Sequence, residues 1–377
     1  MKKTIPAVLI AGALAFAACG SSGGNPTSAL GSGSSGTSAA SGSTSASSST
    51  SGATVKLTEA GSTLMYPYLQ TIAGPFHSAN SSITLQPGPG GSGEGLSDAA
   101  SGTTDFGASD AYLSPSDMTQ YPTLVNIPMV VSSQAVDYNL KGIKNLKLSG
   151  SVLAQIYQGK ITKWNDSAIT SLNPGVNLPN ETIHPIHRSD SSGDSFLFTS
   201  FLSATSPPWA SAIGPNELPN WPSVSAAGSA EGNPGMAQAC KSTAGCVAYI
   251  GISEEKAALQ MGLGEASLQN KSGKFVQSSS STVDSAVSNS ISKIPSNLAV
   301  SLIYAAGADS YPIVNFEYAL VKKSQSSSSK ASALKTLFDW IVSPSGGSSP
   351  TYLAANQFQA LPSAVVPKVK AAISSIS

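Results

Sequence analysis

The chain has 377 residues, of which 40% are hydrophobic and only 11% charged, and its 20 Lys and Arg balance its 20 Asp and Glu. That length can hold two domains, each with its own core. The even balance, with no basic run or patch, argues against a nucleic-acid partner.

Lys2 and Lys3 precede an apolar run from Ile5 to Phe16 that is short for a transmembrane helix. Phe16-Ala-Ala-Cys19 resembles a lipobox, with Phe16 where Leu is usual. It predicts a signal peptide over 1–18, cut before a lipidated Cys19; the alternative is an ordinary secretory signal with a chance Cys. From Gly20 to about Ala53 the chain is chiefly Ser, Gly, Thr and Ala with no charged residue. Such a segment cannot bury a core and reads as a flexible tether of about 34 residues, spanning roughly 30–35 Å.

Beyond the tether, short apolar strands alternate with helices. Val55–Thr58 reads as a strand, followed by Gly61-Ser-Thr63 and a helix starting near Pro67. Strand Ile83–Gln86 leads into Gly88-Pro-Gly-Gly-Ser-Gly-Glu-Gly95, which opens an Ala-rich helix. Strand Asp105–Ala108 runs into Ser109 and Asp110. Leu124–Val131 and Ala135–Tyr138 read as two strands and Gly150–Tyr157 as a helix. Ile183–His187 is a strand that ends in Arg188-Ser-Asp-Ser-Ser-Gly-Asp-Ser195, and the helix Ser195–Leu202 follows. Val247–Ile250 and Phe316–Val321 are later strands; Ser253–Met261 and Ala331–Ile341 are later helices. The Ser-rich tract Val276–Ser290 reads as an exposed loop and helix, and Ser324–Ser329 as a polar loop. The alternation gives an α/β fold without internal repeats.

The strand ends carry Ser, Thr, Gly and Asp, and one adds Arg188. In α/β sheets, ligands sit outside the carboxyl ends of the strands. Arg offers a planar fork of donors, and a helix start presents free N–H groups and positive partial charge. Together these suit a small tetrahedral oxyanion. The plainer alternative makes Ser192 or Asp194 only an N-cap and Arg188 a surface cation.

Several of these motifs, in order from about Val55 to the C-terminus, resemble the PstS family, the phosphate-binding lipoproteins of bacterial ABC phosphate importers. The likeness is carried by Glu59-Ala-Gly-Ser-Thr63, Gly91-Ser-Gly93, Phe106-Gly-Ala-Ser-Asp110, Gly159-Lys-Ile-Thr-Lys-Trp-Asn165, Leu172-Asn-Pro-Gly175, Arg188 to Ser195, and Leu361-Pro362. The resemblance implies a type II periplasmic-binding-protein fold with two lobes, a ligand cleft between them and two chain crossovers. Lobe I would take 54–125 and 310–377, and lobe II 126–309, with Tyr311-Pro312 near the second crossover. It implies phosphate contacts from Ser62, Thr63, the Leu64 backbone, Ser92, Asp110, Arg188, Ser192, Gly193 and Asp194. It further implies a monomer on the outer face of the cytoplasmic membrane, held by its lipid, serving an ABC permease, with no cofactor and no catalysis. Leu64 stands where Phe is frequent, Ser191 where Gly is frequent, and Asp194 where Thr is common. Asp194 is expected either to accept a phosphate proton or to offer only its N–H.

Cys240 and Cys246 have a spacing that fits a small disulfide loop in an oxidising compartment, with two free thiols as the alternative. His184 and His187, three apart on a strand, face opposite sides, which argues against a metal. Trp164 reads as core or hinge packing. Gly88-Pro-Gly90-Gly-Ser-Gly93 also matches G-x-G-x-x-G, the mark of a dinucleotide-binding enzyme, but Pro89 stiffens the loop and that reading leaves Arg188 to Asp194 unexplained. A hydrolase using Ser92 or Ser192 lacks a His in either motif. A binder of another oxyanion, a sensor or an adhesin would keep the fold; sulfate and molybdate binders usually lack a carboxylate in the site, so Asp110 favours phosphate.

Overall fold

The computed structural model describes residues 54–377. The expected signal peptide, Cys19 and the tether lie outside these residues. The chain opens with β1 (Val55–Gly61), α1 (Tyr66–Ala79), β2 (Ile83–Gln86), α2 (Ser92–Ser101), β3 (Phe106–Ser109) and α3 (Pro115–Gln120). β1 pairs in parallel with β2 and β3, setting Val55 against Ile83 and Glu59 against Phe106. A capping box between Ser114 and Asp117 starts α3.

β4 (Leu124–Tyr138) is a single strand of 15 residues. The sequence suggested two strands, 124–131 and 135–138, because Ser132-Ser-Gln134 reads as a polar interruption. These side chains are instead buried and bonded: Ser132 to Asn315 and Glu317, Ser133 to Ser278, and Gln134 to Asp194. A strand tolerates buried polar residues where each finds a partner.

β5 (Lys147–Leu148), α4 (Gly150–Tyr157), α5 (Ser167–Thr170), β6 (His184–Arg188), α6 (Gly193–Thr205), α7 (Pro207–Ala212), β7 (Gly228–Ala230), α8 (Gly232–Ser242), β8 (Cys246–Gly251) and α9 (Ile252–Gln260) follow. α4 keeps its expected bounds because Ser149 caps it, accepting the Val152 N–H. α6 begins two residues before its expected start, where Ser192 caps it. β9 (Gly264–Glu265), β10 (Ser267–Gln269), β11 (Phe275–Val276) and α10 (Ser280–Ser288) precede a return through β12 (Val314–Lys322), α11 (Ser328–Ile341), α12 (Pro350–Ala355) and α13 (Val366–Ser374).

The main sheet runs β2-β1-β3-β12-β4-β8-β6-β7, with β9 beside β4. β4 is its spine. Leu124 to Ser133 pair with β12, and Gln134 to Tyr138 pair with β8. At the exchange of partners, the Gln134 N–H donates to the Ile313 carbonyl (3.1 Å) and the Tyr311 hydroxyl donates to the Gln134 carbonyl (2.9 Å). The outgoing and returning chains are thus tied side by side, and the fold is the two-lobed α/β arrangement with two crossings. An aromatic cluster packs the β6–β8 half: Tyr157, Phe198, Trp221 and Tyr249 surround one another, and His187 stacks on Trp221 at 4.7 Å. Trp164 is fully buried and donates its indole N–H to the Gly245 carbonyl (3.0 Å). The sulfurs of Cys240 and Cys246 lie 2.07 Å apart where α8 turns into β8.

Asp137 on β4 and Glu255 on α9 bury their carboxyls in mutual contact, and no other donor among the described residues reaches their oxygens. Burial, then Glu255 and Glu265, hold the Asp137 carboxyl well above its ordinary range, and burial pushes Glu255 up to about 7. Unfolded carboxyls ionise near about pH 4. Between that pH and about 7 the folded chain binds more protons than the unfolded one, so stability falls as pH rises through this window. Urea denaturation is expected to give a lower midpoint at about pH 8 than at about pH 5, with a flatter dependence in Asp137→Asn. An unchanged dependence in the variant would show that the pair does not hold the proton.

Candidate functional site

The loops expected to bind a ligand meet at one place. Ser62 follows β1. Its Oγ accepts the N–H groups of Leu64 (3.1 Å) and Met65 (3.0 Å), fixing the approach to α1, and donates to Asp110 Oδ1. The Leu64 N–H, expected at the ligand, is therefore already bonded to Ser62. Ser92 is the first residue of α2; its Oγ lies 3.3 Å from Asp110 Oδ2 and accepts the Asp110 N–H at 3.2 Å. Asp110, just past β3, is 2% exposed. Burial, then Glu317 and Asp194, hold its carboxyl well above the usual carboxylate range.

From the other half, Arg188 closes β6 and is 1% exposed. Its backbone N–H donates to the Tyr249 hydroxyl (2.9 Å), which also bonds Ser195 Oγ (2.8 Å). Nε and Nη2 donate to the two oxygens of Asp190, and Nη1 donates to Asp194 Oδ2 (3.0 Å). These use three of the five guanidinium N–H groups and leave one on each terminal nitrogen, two charge-assisted donors for the oxygens of a tetrahedral anion. Burial works against the Arg188 charge, but Asp190 and Asp194 outweigh it and hold the guanidinium protonated. Burial raises the Asp190 carboxyl, yet Arg188 overrides this and keeps it low.

Ser192 caps α6 by accepting the Asp194 N–H (3.1 Å). The N-cap role offered as the plainer reading is thus real for Ser192, and it leaves the Ser192 hydroxyl hydrogen free for another acceptor. Gly193 presses against the opposite half. A Cβ there would lie 2.6 Å from Ser92 Oγ, 2.7 Å from Asp110 Cβ and 2.7 Å from Asp110 Oδ2. The glycine loop before α2 touches the same segment, with the Gly93 N–H donating to the Ser191 carbonyl (3.1 Å).

The Asp194 carboxylate is already taken up by neighbouring donors. It accepts from Arg188, from Gln134 Nε2 (2.9 Å) and from Asn233 Nδ2 (2.7 Å). Burial raises its pKa, and Arg188, Gln134 and Asn233 offset part of that rise. Thr63 is joined to this group through Asn233, whose backbone N–H (3.1 Å) and Nδ2 (3.2 Å) both donate to Thr63 Oγ1. The nine expected residues therefore form one continuous cluster.

A family model described as a PBP superfamily domain matches residues 39–345. The phosphate-binding protein PstS of Methanocaldococcus jannaschii is 33% identical over 322 residues, covering 80% of this chain and 82% of the relative. That of Haemophilus influenzae is 34% identical over 290 residues, covering 76% and 84%. The chain belongs to the PstS family. Among solved structures, a high-affinity periplasmic phosphate-binding protein with phosphate bound superposes with a TM-score of 0.68 at 20% identity, over 84% of this chain and 93% of its own. The phosphate-binding protein of Stenotrophomonas maltophilia gives 0.66 at 19% identity, over 84% and 93%. At such identities the likeness concerns the fold.

Within this PstS-family site, sequence reasoning missed Gln134, Asn233 and Glu317. Asn233 sits in Gly232-Asn-Pro-Gly235, which reads as a turn but starts α8. Gln134 lies at the exchange of partners in β4. Gln134 carried one usable signal, a polar side chain beside the apolar strand residues Ala135 and Val136. His184 and His187 bond the carbonyls of Ala226 and Arg188 through Nδ1.

Gly193→Ala is expected to hold the two halves apart. Forcing a methyl into packed space costs roughly 1–3 kcal/mol, about fivefold to 150-fold in the closed population. Small-angle scattering should show a larger radius of gyration than wild type under the same conditions. An unchanged radius would mean that the halves do not meet across Gly193.

Proposed function

We propose that this chain is an extracytoplasmic receptor that captures inorganic phosphate by closing two lobes on it and delivers it to the membrane subunits of an ABC phosphate permease, without chemical turnover. The observation that carries the reading is Asp110: a buried carboxyl, flanked by two Ser hydroxyls from one half and facing Gly193 and the Arg188 loop of the other. Arg188 supplies attraction with its two remaining N–H groups. Thr63, Ser192 and the α6 start supply further donors, and Ser62 and Ser92 hold the Asp110 carboxyl toward the ligand. Asp110 supplies rejection. Phosphate near neutral pH carries a proton to donate to a carboxyl oxygen; sulfate carries none and meets a repelling lone pair. Mismatched polar contacts of this kind discriminate by up to roughly 10⁴–10⁵. Asp194 is taken as a partner of Arg188 that shapes the site rather than as a proton acceptor from phosphate.

The lobes in this reading exchange within β4 and again ahead of β12, and closure follows because the ligand bonds both halves only when they are shut. A cleft of about 370 Å³ beside the site, lined by Tyr112, Asp117, Phe196 and Glu217 among others, is a fitting mouth. We place the chain outside the cytoplasmic membrane as a lipid-anchored monomer, with Cys19 as the anchor and Cys240–Cys246 as a disulfide that stiffens the turn into β8.

Calorimetric titration of the anion-stripped protein with phosphate and then sulfate, at one ionic strength, tests this. Wild type is expected to bind one phosphate tightly and sulfate weakly. Asp110→Asn should bring the two anions close together, and Arg188→Ala should weaken phosphate binding by at least roughly thirtyfold. An Asp110→Asn protein with the wild-type ratio would remove Asp110 from selection.

A further inference from the structure

Behind Asp110 lies a second carboxyl, outside the ligand contacts named above. Glu317 on β12 is fully buried. Its Oε1 accepts from Ser132 Oγ (2.5 Å) and from Asn315 Nδ2 (2.7 Å). Asn315 also donates to the Asp110 carbonyl (3.3 Å), so the three residues form one packed unit. Glu317 Oε2 has no donor among the described residues, although it is shut away from solvent. The Glu317 and Asp110 carboxyls are in hydrogen-bonding contact. Two ionised carboxylates in contact inside a protein repel strongly, and an acceptor left unpaired there is costly. One proton on the line between them removes both costs.

We propose that Glu317 is a positioning residue for Asp110: the two carboxyls share a single proton, so the pair presents one negative charge to the anion and not two. This rests on the phosphate reading and refines it. With the proton directed at Glu317, Asp110 keeps lone pairs for the protonated oxygen of phosphate. Glu317, held by Ser132 and Asn315, fixes which way the Asp110 carboxyl turns. Loss of the shared proton sets a second negative charge behind the ligand and weakens binding. The titratable groups around the pair are Asp194 of α6, with Arg188 of β6 behind it, and Tyr318 of β12 with Tyr112 beside it. Burial holds Asp110 well above its ordinary range and raises Glu317 to about 7, which puts the loss above neutral pH.

The test is the phosphate Kd of the anion-stripped protein from about pH 6 to about pH 9, for wild type, Glu317→Gln and Ser132→Ala. Phosphate's own ionisation is common to all three and cancels in ratios of Kd. Gln in place of Glu317 donates an amide N–H to Asp110 and leaves one fixed charge. The wild-type Kd divided by that of Glu317→Gln is therefore expected to rise by at least roughly tenfold across the range. Ser132→Ala removes a donor from ionised Glu317, so the pair keeps its proton longer and the rise moves to higher pH. A flat ratio, or a Ser132→Ala profile superimposed on that of wild type, would overturn the shared proton. Should Glu317→Gln not fold, as judged by near-ultraviolet circular dichroism, the Ser132→Ala shift decides alone. Absence of phosphate binding by wild type at every pH would instead defeat the phosphate reading itself.

Discussion

A guanidinium buried to 1% exposure has to be neutralised, and much of the site is arranged around that requirement. Removing such a charge from water costs several kcal/mol even after the protein relaxes, and only close, well-bonded partners offset it. Arg188 meets the cost with two carboxylates on three of its N–H groups. Asp190 shares its loop, and Asp194 sits in the first turn of α6. The pairing therefore sets the loop between β6 and α6, and with it the positions of Ser192 and Gly193. Tyr249 anchors the backbone of the same arginine from β8. Asn233 and Gln134 exist in this arrangement chiefly as donors to Asp194, and Asn233 carries the network on to Thr63 in the opposite half.

Acidic groups outnumber Arg188 around the cleft, which is unexpected for a receptor of anions if net charge alone governed affinity. The arrangement makes sense if the site discriminates by counting protons. Bonds from neutral hydroxyls and backbone N–H groups provide attraction without long-range charge, and carboxyls read whether an oxygen of the ligand brings a hydrogen. Such a site gains selectivity at close range and forgoes long-range steering.

The fold was largely legible because its main strands are short apolar runs bounded by Gly, Ser and Asp. β2 and α4 have the bounds expected, the first from alternation over Ile83–Gln86 and the second from its Ser149 cap. Each predicted loop of the site was found by its strand-end position. What escaped were residues whose partners are remote in sequence. Ser132, Ser133 and Gln134 look like a turn until Asn315, Glu317, Ser278 and Asp194 are placed beside them. Local pattern cannot reveal a bond that spans 185 residues, such as Ser132 to Glu317. Asp194 illustrates a different limit. Its spacing put it at the ligand, but the direction of its carboxylate depends on Gln134 and Asn233, which no spacing records.

The unbroken course of β4 bears on how such molecules can be rearranged. One strand supplies an edge to β12 and, a residue later, an edge to β8. Neither half has a complete sheet without it. The halves are consequently not modules that recombination can shuffle between relatives at a linker, as tandem domains can be. A viable chimera has to take β4 with both of its neighbours. Split-protein reporters built on this scaffold are better divided at an exposed loop within one half than within β4, where the sheet passes from β12 to β8.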